Sequence, residues 1–143
     1  MGWGHLMNRN DFQELARIRL KEAQVLLKNG NYDGAYYLCG YIIECGLKSC
    51  IAKKTREHDF PDKKIVAKSF VHSPTQLIKL SDLATPKKDE RKRNRKLAVN
   101  WAVVKDWNEK SRYEKHSRND AENLYSAIVD EEDGVLKWII KYW

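Results

Sequence analysis

Between Tyr32 and Lys54 the chain reads Tyr-Asp-Gly-Ala-Tyr-Tyr-Leu-Cys-Gly-Tyr-Ile-Ile-Glu-Cys-Gly-Leu-Lys-Ser-Cys-Ile-Ala-Lys-Lys, which is apolar or small on nearly every side when wound as a helix. Such a helix has to be enclosed by others, because any open side would leave apolar surface in water. Between Asp33 and Lys53 its only charges are Glu44 and Lys48, one turn apart and therefore on one face. Asp33, Tyr37 and Tyr41 extend that face into a single polar and aromatic stripe. A second stripe of small residues, Ala35, Cys39, Gly46 and Cys50, lets a neighbouring helix come close. Leu38, Ile42, Ile43, Leu47 and Ile51 are the expected centre of the core.

The rest of the chain supplies the enclosure. Its 143 residues suffice for one core, and the expected layout is a flexible leader over 1–9 followed by one helical domain over 10–143. Helical spacing of aliphatic residues, only three prolines and no alternating strand pattern give an all-α class, an up-and-down bundle of four to five helices. The first helix is expected to be capped by Asn10 or Asp11 and to end at Asn29-Gly30. The turn to Asp33 is short enough to require an antiparallel return. Residues 55–72 read as irregular, with a possible short helical piece over 64–70. Ser73-Pro74 and Thr85-Pro86 read as two helix starts, the second helix running to about Trp107 with Leu97, Trp101 and Val104 inward. A loop over 108–117 leads to a fifth helix, with Asn119 and Glu122 as a capping box. Gly134 is placed to bend or split that helix.

Charge is unevenly distributed. The formal total is +7, yet residues 85–96 hold seven basic and two acidic side chains, so one segment carries most of the excess. That pattern indicates a local basic patch, either a solvated helix end or a contact for a phosphate backbone through Arg91, Arg93 and Arg95. Cys39, Cys45 and Cys50 all fall on the enclosed helix with no C-x-x-C pairing, and read as small core residues of a reducing compartment. The histidines outside residues 112–118, His5, His58 and His72, have no second ligand at metal spacing, so no metal or other cofactor is expected. No phosphate-cradling glycine loop or dinucleotide fingerprint is present. With neither a signal-peptide pattern at the N-terminus nor an apolar run of about 20 residues, a cytoplasmic chain without a membrane span is expected.

Taken in order, the Leu-Leu-Lys-Asn-Gly end of the first helix, the Tyr32–Lys48 run, His72 before Leu77, Trp107 and Arg112-Tyr113 resemble the HEPN family (higher eukaryotes and prokaryotes nucleotide-binding domain). The resemblance implies a helical bundle, commonly a homodimer, that binds RNA or a nucleotide. It also implies a possible place in a toxin–antitoxin or defence pair with a small nucleotidyltransferase as protein partner. Ribonuclease members of the family work without metal, using an Arg, a polar residue and a His four to six residues further on. Arg112-Tyr-Glu-Lys-His116 is the nearest match here, with Tyr113 at the polar position and three residues between Arg and His.

Two readings stand for each constellation. Arg112 and His116 suit metal-free RNA cleavage, since a histidine can take the 2′-hydroxyl proton while an arginine steadies charge on phosphorus. Alternatively Arg112 and Tyr113 anchor the loop, Arg112 pairing with Glu44. Tyr37, Tyr41, Glu44 and Lys48 can line a groove in which rings stack on a base and the lysine meets phosphate. Alternatively Glu44 and Lys48 are an ion pair completed by a neighbouring helix. Three functions follow: RNA or nucleotide binding, a catalytically silent scaffold for dimerisation or partner binding, and a metal-independent ribonuclease using Arg112 and His116.

Overall fold

A computed structural model describes residues 7–57 and 71–143. Within them the chain forms α1 (Arg9–Lys28), α2 (Tyr32–Glu57), α3 (Pro74–Leu80), α4 (Ala84–Arg93), α5 (Arg95–Lys105), a 3-10 turn (Glu109–Tyr113), α6 (Arg118–Val129) and α7 (Val135–Ile140). The all-α class stands. The possible helical piece over 64–70, with His58 and His5, lies outside the described residues.

The first helix is capped by Asn8 and not by Asn10 or Asp11. The Asn8 side chain accepts from the Asp11 N–H, and the Asp11 carboxylate accepts from the Asn8 N–H. An aspartate three residues after the cap completes the box as a glutamate would. At the other end Gly30 adopts φ 75°, the left-handed conformation that stops the helix and turns the chain back. The Gln13 amide and the Arg9 guanidinium both donate to the Trp143 carbonyl, so Trp143 is held against α1.

α2 occupies the middle of the molecule, packing against α1, α3, the 3-10 turn, α6 and α7. Ile42, Ile43 and Leu47 are fully buried and Ile51 nearly so, whereas Leu38 is only half-buried at the rim of the core. Leu77, Trp101, Trp107, Leu124, Ile128, Val135 and Ile139 close around them. No described helix is long and apolar enough to cross a membrane.

Two expected long helices are each divided. Residues 85–107 form α4 and α5, separated at Asn94, whose extended backbone (φ −127°, ψ 98°) ends one helix while its side chain caps the next by accepting from Leu97 N–H. α4 opens at Ala84 after Leu83, which supplies no side-chain cap, so Thr85-Pro86 lies inside the first turn and does not precede it. α6 is capped by Ser117 with Asp120, not by Asn119 with Glu122. It stops at Asp130, and Gly134 opens α7.

Candidate functional site

The polar stripe of α2 is present as two bonded pairs. The Tyr37 and Tyr41 hydroxyls share a hydrogen bond of 2.7 Å, and the Lys48 ammonium lies 3.3 Å from Glu44 Oε2. Burial and the bond to Tyr37 push the Tyr41 phenol above its ordinary range, so it stays protonated. Trp107 packs beside both rings, 5.5 Å from Tyr41 and 6.3 Å from Tyr37. Its indole lies directly over Gly40, where even a methyl group would collide with it.

Trp107 leads straight into the 3-10 turn, and this positions the next candidates. Asn108 caps the turn by accepting from Lys110 N–H, and Ser111 faces inward with 3% of its surface exposed. The two following side chains face outward. Arg112 lies with its guanidinium carbon 4.7 Å from the centre of the Tyr113 ring, and that ring is 78% exposed. The phenols of Tyr113 and Tyr37 raise the Arg112 pKa further, favouring its charged form. A cation over an aromatic ring is a stable arrangement in itself, and here it leaves most of the ring open to solvent.

His116 follows in irregular backbone. Its ring stacks on Tyr36 with centroids 3.7 Å apart and planes 14° from parallel. Its Nε2 is 3.3 Å from the Ser111 carbonyl, and its backbone N–H donates to Asp33. His116 therefore stands on Tyr36 near the start of α2, while Arg112 lies over Tyr113. The proposed Arg112–Glu44 pairing is not formed. Glu44, only 6% exposed at its side chain, instead meets His72 Nδ1 at 2.6 Å, while His72 Nε2 lies 3.3 Å from Glu109 Oε2.

The basic segment is arranged less simply than a continuous helix would make it. α4 has no buried residue, and Lys88, Arg91 and Lys92 form one exposed row that makes no ion pair among the described residues. Arg93 is engaged with Glu90 at 3.1 Å, and Arg95 lies beyond the break, lining an open groove with Lys96, Val99, Asn100 and residues 130–133. Lys87 covers the Trp101 ring at 4.5 Å, and this burial lowers its pKa. The three thiols are buried and shifted upward, Cys39 and Cys50 to about 12 and Cys45 to about 11, so none is poised as a nucleophile.

A profile of the HEPN domain matches residues 10–139, the span that holds α2, Trp107 and the turn docked upon it. The chain belongs to the HEPN family. Comparison with curated proteins and with solved structures gave no match. In this HEPN domain Tyr37, Tyr41, Glu44, Lys48, Arg112, Tyr113 and His116 are gathered along α2 and the turn docked on it, whereas Arg91, Arg93 and Arg95 lie on two other helices. Sequence reasoning passed over Tyr36, Glu109, Ser111 and the role of His72. Its one available signal was Glu44, since a buried carboxylate requires a partner.

Proposed function

We propose that this HEPN domain binds RNA or a nucleotide at Arg112 and Tyr113, phosphate meeting the guanidinium and a base stacking on the open ring. The observation that carries this reading is the pairing of an unburied arginine with a 78% exposed tyrosine on a turn fixed by Trp107 and Ser111. An exposed aromatic ring has little structural use, whereas base stacking on such a ring is worth about 1–3 kcal/mol. The Lys88, Arg91 and Lys92 row supplies further phosphate contacts to a polynucleotide, which favours RNA over a mononucleotide. Family membership supports two further parts of the reading: assembly as a homodimer, and pairing with a small nucleotidyltransferase in a toxin–antitoxin system.

The test is fluorescence anisotropy with labelled single-stranded RNA and, separately, a labelled mononucleotide. Tyr113→Ala should weaken RNA binding by roughly 5- to 100-fold, and Arg112→Ala should weaken both ligands. Equal affinity for parent and both variants would place binding away from this turn, and no binding by the parent would leave the silent scaffold as the better reading.

A second reading, metal-independent cleavage, has one observation in its favour. If His116 Nε2–H donates to the Ser111 carbonyl, Nδ1 carries the lone pair, and Nδ1 has no hydrogen-bond partner among the described residues. That tautomer is the basic form a proton acceptor needs. Cleavage of a mixed RNA pool in chelator that is lost in His116→Ala and Arg112→Ala supports it; no cleavage by the parent removes it.

A further inference from the structure

His72 stands between two carboxylates that belong to different elements. Glu44 comes from the buried stripe of α2, 2.6 Å from Nδ1, and Glu109 from the first position of the 3-10 turn, 3.3 Å from Nε2. Among the described residues the other groups toward the ring are Tyr41, whose ring centre is 6.3 Å away, and Lys48 on the far oxygen of Glu44, and the turn that carries Glu109 also carries Lys110 and Arg112. A carboxylate only accepts, so the Glu44 hydrogen bond uses a proton on Nδ1, and the Glu109 contact, an ion-pair distance without hydrogen-bond alignment, is attractive only when Nε2 carries a proton as well.

We infer that His72 is a positioning residue that latches the Arg112–Tyr113 turn onto α2 in its imidazolium form and loosens it when the ring is neutral. This rests on the reading that Arg112 and Tyr113 bind RNA. Neutral imidazole keeps a single N–H, and the two carboxylates do not compete for it equally. Glu44 is 6% exposed and already engaged by Lys48, so it has nowhere to turn, whereas Glu109 is 58% exposed and rotates into water. The proton stays toward Glu44, the lone pair faces Glu109, and the contact from the turn is the one released. Arg112 and Tyr113, three and four residues after Glu109, then lose part of their preorganisation. RNA binding is therefore tighter where His72 is protonated, by about twofold to fivefold, the size of an exposed ion pair.

The test compares variants that all keep His116. RNA affinity is measured by anisotropy at about pH 5.5 and about pH 8 for the full chain, Glu109→Gln and His72→Gln, with NMR titration of the His72 ring and the 109–113 amides in parallel. The expected result is a larger loss of affinity with rising pH in the parent than in either variant, and 109–113 amides that follow the His72 ring in the parent but not in Glu109→Gln. An identical pH dependence in parent and Glu109→Gln, with RNA bound, overturns the latch and leaves the binding reading in place. Absence of RNA binding at both pH values overturns the binding reading, and the amide titration then decides the latch alone: amides indifferent to His72 overturn it.

Discussion

Gly40 and Gly46, two of the three glycines in α2, face different demands, and substitution should separate them. A Cβ on Gly40 would fall 1.8 Å from Trp107 Cε2, inside a ring that is itself 1% exposed and cannot withdraw. Gly40→Ala should therefore cost about 3 kcal/mol or more and disturb the turn that follows Trp107. A Cβ on Gly46 would stand 3.1 Å from Ile139 Cγ2, a contact a small shift relieves. The helix gains about 1 kcal/mol from the alanine, so Gly46→Ala should stay within about 1 kcal/mol of the parent. Gly46→Leu overpacks the same contact and should cost about 1–3 kcal/mol. Thermal melts of the three variants check the ranking; equal melting of Gly40→Ala and parent would mean Trp107 does not rest on that glycine. That a glycine in a helix needs a packing reason was legible in the sequence. Which neighbour supplied it was not, because Trp107 lies 67 positions away and no local spacing relates the two.

At the level of elements, start and stop signals were readable to within about two residues, and the errors share a cause. Asn8 with Asp11, and Ser117 with Asp120, form boxes closed by an aspartate, whereas polar residues two positions later gave equally plausible starts. The break at Asn94 was hidden because a run of charged residues without Gly or Pro continues through it. Asn94 does two things there: its side-chain oxygen caps α5, and its amide donates to Asp133 at 2.7 Å. Asn94→Ala should cost about 1–2 kcal/mol, and Asn94→Asp should cost as well, since it keeps the cap but sets a carboxylate against Asp133. Asp130 orders the next turn by accepting from the N–H groups of Asp133 and Glu132, and those bonds hold its carboxyl below the ordinary range. Because the folded form binds its proton less readily, this contribution is present above the usual carboxylate range and lost as pH falls through the depressed value. Between about pH 5 and about pH 2 the parent should lose more stability than Asp130→Asn, and parallel losses would contradict that role. On α4, Lys88→Ala, Arg91→Ala and Lys92→Ala combined should leave the melting temperature almost unchanged while making the log–log salt dependence of RNA binding shallower by about two. An unaltered slope would mark the row as a solvated surface.

For the molecule as a whole, the site depends on pieces remote in sequence: the stripe of α2, His72 ahead of α3, and the turn after α5. The stripe itself was legible, because charge on an otherwise buried helix is conspicuous, and Arg112 and Tyr113 stood out as candidates. Their assembly was not, since Glu44 to His72 spans 28 positions and Asp33 to His116 spans 83. If the proposed homodimer forms, sedimentation of the full chain should give twice the mass of one protomer; a single protomer would oppose it. The central claim is that the Tyr113 ring receives a base, and intermolecular NOEs in an RNA complex test it most directly. Cross-peaks from the Tyr113 ring to base protons are expected, with those base protons moved upfield. Saturated RNA binding that leaves Tyr113 resonances unmoved and shows cross-peaks only elsewhere would contradict it.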